Sequence, residues 1–248
     1  MRSASVFRQI GIFADGSVIP PNPSTIKILM ELFGDHAFLP GVLQEFIAGP
    51  TSILAKGNLR QRLSLDESET GYHIDFGSQK IDIEQKARDF DAANMGNLSE
   101  FMKTGADLGQ RIIKQFELLA KRLAIVRKNL VLDLTDAELG AIYQRLFKPT
   151  EFFAENPPFE WIWQAVAKQP VPGDAKEELN LITKVVRSQG RIGEQREVSL
   201  LQVEFDVNTV PARRQPRFGS DSFGALMPKM AEFHQRLEDD IMKVIKGE

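Results

Sequence analysis

The chain has 248 residues, no cysteine and a formal net charge of −3, which excludes disulfides, thiolate metal centres and a cysteine nucleophile. Its content of 42% hydrophobic and 26% charged residues is that of a folded globular protein and not of a disordered one. No apolar run approaches the roughly 20 residues that cross a bilayer, and the parts before and after residue 120 carry 12 basic against 15 acidic and 19 against 19 side chains, so neither is a basic domain.

In chain order, residues 4–13 (ASVFRQIGIF) are rich in β-branched and aromatic types and predict a strand, not a secretion signal. Asn22-Pro23 supplies a helix cap with proline at the first helical position. Ile26, Leu29, Met30 and Phe33 then recur at helical spacing until Gly34. Residues 38–47, broken by Pro40-Gly41, suit an edge or bulged strand. Leu59, Gln61, Leu63 and Leu65 alternate with Arg60, Arg62, Ser64 and Asp66, and Tyr72, Ile74 and Phe76 alternate with His73 and Asp75. These two runs predict a hairpin, followed by a strand through Ile81 and Ile83 and a polar connection at 86–96. Asn97 with Glu100 is a capping box, and Leu98, Phe101, Met102, Leu108, Ile112, Phe116 and Leu119 form the apolar stripe of a long helix.

The second half repeats this order. Residues 123–134 predict a strand, and Thr135 with Glu138 caps a helix. Strands are expected at 159–166, 178–187 and 198–207. A closing amphipathic helix runs through Phe223, Met230, Phe233, Leu237, Ile241 and Val244, with Pro228 marking its first turn. The heptapeptide Ala106-Asp107-Leu108-Gly109-Gln110-Arg111-Ile112 returns 125 residues later as Ala231-Glu232-Phe233-His234-Gln235-Arg236-Leu237. The expected fold is therefore α+β, with two similar halves, 1–120 and 121–248, packed as one unit. Each half reads strand, helix, strands, long helix, with antiparallel sheets covered by the amphipathic helices.

Catalytic signatures are missing: the sequence holds no Walker loop, GxGxxG, GxSxG or HExxH. The three histidines, His36, His73 and His234, lie in different elements without ligand spacing, and Asp82, Asp133 and Asp206 stand singly. No catalytic residue, metal or cofactor is implied. Three places merit a binding reading. The hairpin projects Arg60, Arg62, His73 and Asp75 to one side, with His73 expected opposite the arginines, as an anion or partner surface. Trp161 and Trp163 share a strand face with Phe159, preceded by Phe152 and Phe153. Such an aromatic stripe serves a core or a partner interface. Arg213, Arg214 and Arg217 crowd a loop that suits phosphate.

The strand 122–134 running into a capped helix, the alternating strand 197–207 and the terminal helix AEFHQRLEDDIMKVI with His234 resemble an uncharacterised prokaryotic family of proteins about this long. In that family the strand centre is of an Arg-x-x-Asn type, and Arg127 and Asn129 stand two apart here. The resemblance implies a fold, no assigned activity, and a sporadic distribution that suits a mobile-element or phage-defence setting. The expected function is a cytoplasmic, non-enzymatic assembly subunit whose partner is itself or another protein. Nucleic-acid binding through the loop arginines is the alternative, followed by a metal-assisted hydrolase.

Overall fold

The computed structural model describes residues 1–47, 58–88, 95–192 and 196–248, so much of the connection expected at 86–96 lies outside it. Strand β1 (Arg2–Phe13) leads through a short 3-10 turn into helix α1 (Pro23–Leu32), whose start is fixed by the Asn22 side chain accepting from the Thr25 amide at 2.8 Å. Strands β2 (Leu39–Ile47), β3 (Asn58–Glu67), β4 (Tyr72–Phe76) and β5 (Ile81–Lys86) precede helix α2 (Leu98–Gln115). The second half supplies β6 (Arg122–Leu132), α3 (Asp136–Leu146), a short α4 (Glu151–Glu155), β7 (Trp161–Val171), β8 (Asp174–Ile192), β9 (Arg196–Thr209) and α5 (Ser220–Lys246). Both expected capping boxes form, Asn97 with Glu100 at α2 and Thr135 with Glu138 at α3.

The described residues build one sheet of nine strands in the order β2-β3-β4-β5-β1-β6-β9-β8-β7, with every neighbouring pair antiparallel. The two halves of the chain meet at β1 and β6, which pair over nearly their whole length. One face is covered by helices. Ile10, Ile12, Leu63, Leu65, Ile74, Phe76, Ile81, Ile83, Leu123 and Ile125 point into a core shared with Phe101, Leu108 and Ile112 of α2 and with Phe223, Met227 and Met230 of α5. Alternation explains the choice of face: the residues between these are polar or small and line the opposite, open face. A second core, under α3, gathers Leu139, Ile142, Tyr143, Trp161, Val185, Val203 and Phe205.

Two glycines of α2 set how closely the layers approach. A Cβ on Gly105 would lie 2.9 Å from Ile10 Cδ1, and one on Gly109 would lie 2.7 Å from Phe223 Cζ. The helix thus seats against β1 and α5 at positions where an added side chain would require Ile10 and Phe223 to shift.

The closing helix departs from expectation. It begins at Ser220, so Pro228 sits inside it and not at its first turn. An interior proline costs about 3 kcal/mol, and the turns before it hold because Phe223, Leu226 and Met227 are buried. The first long helix is also shorter than its apolar stripe: it ends at Gln115, Glu117 takes a positive φ, and Leu119 is exposed.

Candidate functional site

The centre of the covered face is polar. Across it runs a row of cross-strand neighbours, Gln85 on β5, Arg8 on β1, Arg127 on β6 and Phe205 on β9. Arg8 is 2% exposed and donates to the carbonyls of Met95 at 2.7 Å, Gly96 at 2.7 Å and Asn97 at 3.0 Å, the residues leading into α2. Arg127 forms a two-pronged pair with Glu238 of α5, both contacts at 2.6 Å, and Glu238 also accepts from Asn129 at 2.9 Å. Each central arginine therefore ties the sheet to a different helix. Beside them His234 of α5 is fully buried against the Phe205 ring; neither ring nitrogen makes a well-formed hydrogen bond among the described residues, although the backbone at Phe205 lies close enough to favour the charged ring slightly. Burial, and then the Arg127 charge, push its imidazole down to about 3, so it is neutral. Burial, and then Arg127, also lower Arg8 to about 10. This cluster braces the fold.

The hairpin surface is not the four-residue site that alternation suggested. β4 pairs with β3 only over Ser64–Glu67, so the residue opposite His73 is Asp66, while Arg60 and Arg62 lie opposite Glu45 and Leu43 of β2. The register follows from the turn at Thr70-Gly71, where Gly71 takes a φ of 74°. Arg62 is 5% exposed and donates from Nε to Glu45 at 2.9 Å, and Arg60 is exposed at the far end of β3. His73 is held between Asp75 at 2.6 Å and Asp66 at 3.0 Å. These hydrogen bonds, Asp75 first, raise it to about 9 despite partial burial. The result is a local ion-pair cluster with its charges already matched.

The aromatic stripe divides. Trp161 is buried against Tyr143 and Phe147 of the α3 region, and Trp163 packs partly against the same core. Phe159 lies before the strand, and Phe152 and Phe153 lie on α4; all three are exposed. The residues β7 turns outward are those the stripe skipped, Ile162 at 60% and Val166 at 56% exposure. The alternation of the strand carried that signal. The two tryptophans drew attention to the wrong face.

The loop arginines also separate. Arg217 is structural: it pairs with Glu177 at 2.9 and 3.0 Å, and donates to the backbone carbonyls of Lys121 and Arg213. Arg213 and Arg214 instead line a depression of about 330 Å³ with Phe13, Lys121, Arg122 and Pro211. Sequence reasoning did not single out Lys121 and Arg122. They come next to the loop because Phe13 and Arg122 are cross-strand partners and the Ala120–Phe218 bridge brings residue 218 alongside residue 120.

A groove of about 590 Å³ runs between α2 and α5. Six pairs of its lining residues stand 125 apart in sequence: Ser99 and Gly224, Met102 and Met227, Lys103 and Pro228, Ala106 and Ala231, Asp107 and Glu232, Gln110 and Gln235. The repeated heptapeptide thus faces itself across one cleft. Among the described residues no group of three or more His, Asp or Glu is placed to hold a metal ion, and no described helix is long and apolar enough to cross a membrane.

No family model matches the chain, and no curated protein matches it either. Among solved structures, the di-domain ARO/CYC BexL from the BE-7585A biosynthetic pathway aligns over 100% of this chain and 98% of its own, at 12% identity and a TM-score of 0.19. A superposition that poor carries neither fold nor function across.

Proposed function

We propose that the protein is a non-enzymatic assembly subunit, built from two copies of one plan, that joins a second copy of itself through the free edge of β7. The exposed β7 edge carries this reading. Among the described residues β7 is an edge strand of the sheet and pairs only with β8, so its outer backbone groups have no strand partner there. Edge strands are normally blunted by charge, proline or a bulge. In β7 these devices, Lys168, Pro170 and the register shift at Val171, all fall at the C-terminal end. The seven residues from Trp161 to Ala167 carry no charge and no proline, and Ile162 and Val166 add an exposed apolar face. Such an edge is a template for another strand, and antiparallel pairing of two copies about a twofold axis closes the assembly. The recurrence of the element order, and the groove residues that stand 125 apart, support the two-copy plan.

Size-exclusion chromatography with light scattering tests the reading. The expected result is a dimer that becomes a monomer, with an unchanged circular dichroism spectrum, when Ile162→Lys and Val166→Lys are combined. A wild-type protein that stays monomeric at high concentration would overturn it. Nucleic-acid binding keeps less support, because Arg217 is spent on Glu177 and the loop itself.

A further inference from the structure

We infer that the depression at the end of β1 and β6 is a binding site for a phosphate group carried on a small organic molecule. The inference does not depend on the assembly reading. Four cationic side chains, Lys121, Arg122, Arg213 and Arg214, line this depression together with Phe13 and Pro211, and no carboxylate is among the lining residues. Like charges this close repel one another in the empty protein, and an anion of charge −2 or more relieves that repulsion.

The one buried acid at the site is already taken. Glu177 accepts both prongs of Arg217, and Arg213 only approaches it, at 3.7 Å. Among the described residues Lys121, Arg122 and Arg214 form no ion pair within 4 Å. Asp15 feels the charge of Lys121 and Asp206 that of Arg122, but neither carboxylate lines the depression. Asp15 accepts from the Ser17 amide and hydroxyl, and Asp206 accepts from the Asn208 side chain at 2.9 Å.

The cradle is also built in advance. Arg217 donates to the carbonyls of Lys121, Arg213 and Gln215, so one guanidinium stitches the loop to the start of β6 and fixes the backbone beneath both loop arginines. The Arg122 guanidinium lies 4.6 Å from the centre of the Phe13 ring, and its Nε is buried without a hydrogen-bond partner. Phe13 and Pro211 give an apolar wall for the organic part of a ligand. A volume of about 330 Å³ suits a phosphomonoester or diphosphate of a small molecule. A polynucleotide needs a stripe of positive charge longer than one pocket, and the chain as a whole carries −3.

Calorimetric titration of the full-length protein with pyrophosphate, at low salt, tests the site. Saturable one-to-one binding is expected, weakened about tenfold or more when Arg122→Gln and Arg214→Gln are introduced together. The distant Lys243→Gln is expected to leave it unchanged. Thermal melts of each variant separate loss of binding from loss of fold. Arg213→Gln gives a second reading should the double variant unfold. The proposal is overturned by an absence of heat up to about 1 mM pyrophosphate, or by pocket variants that bind as well as the wild type. It is equally overturned if an oligonucleotide binds far more tightly than pyrophosphate and with a steep salt dependence, since that would mean an extended polyanion surface and no enclosed phosphate site.

Discussion

The two faces of the sheet hold the same residue type in opposite electrostatic states. On the open face His73 sits between Asp66 and Asp75 and is raised to about 9. Against the covered face, His234 of α5 is sealed onto the Phe205 ring and lowered to about 3. Water and matched charges make an ionised imidazole cheap on one side. On the other, a helical layer and a neighbouring guanidinium make it expensive. The same contrast separates the ion pairs. Lys128 and Glu204 meet at 3.4 Å in partly open surroundings, whereas Arg127 and Glu238 meet at 2.6 Å beneath α5.

The largest expected effect tests the covered pair. Glu238→Ala leaves Arg127 and Asn129 without their acceptor and Arg8 facing an uncompensated like charge, which should cost about 3 kcal/mol in urea unfolding. Lys128→Ala on the open face should cost under about 1 kcal/mol. Equal costs would erase the distinction between the faces.

The next effect concerns His234. Its folded value lies below the ordinary 6.5, so its contribution is intact above pH 6.5 and stability falls as pH drops from there toward 3, by about 1.4 kcal/mol per unit. His234→Leu removes a buried polar group that makes no well-formed hydrogen bond. It should raise stability at neutral pH by about 1 kcal/mol and flatten the acid limb seen by denaturant titration. A variant that stayed as acid-sensitive as the wild type would place the imidazole in a wetter setting.

The smallest effect has the opposite sign. His73 is raised in the folded state, so its contribution is fully present below pH 6.5 and disappears as pH rises through 9. The cluster is partly solvated, so the whole change should be about 1 kcal/mol. The difference in stability between wild type and His73→Gln, followed from pH 6 to about 10, should shrink toward zero. A difference that did not move with pH would mean the aspartates hold a neutral ring.

Each expected site was legible in the sequence up to an identifiable step. The hairpin was legible because alternation marks a strand locally, but the partner of His73 was not, because β3 outruns β4 and only the turn at Gly71 sets which rungs meet. Alternation puts Trp161 and Trp163 on one face of β7, but Phe159 falls before the strand, and the burial of Trp161 under α3 depends on a helix 15 residues upstream. Arg213 and Arg214 were visible as a basic loop. Lys121 and Arg122 were not, since nothing in the spacing of residues 121 and 213 tells that the two segments lie side by side.

What the amino-acid order determined alone was the type and place of most elements and the starts of three helices: the Asn22 cap, the two capping boxes, the alternating strands and the amphipathic stripes, but not α4 or where α2 ends and α5 begins. These rest on hydrogen bonds and side-chain periodicities spanning a few residues, so a local stretch suffices to specify them. Tertiary structure decided the strand order, the register, the passage of α5 through Pro228 and the exposed edge at β7. Those depend on which distant surfaces can be buried together, and that energy exists only once the chain has closed on itself.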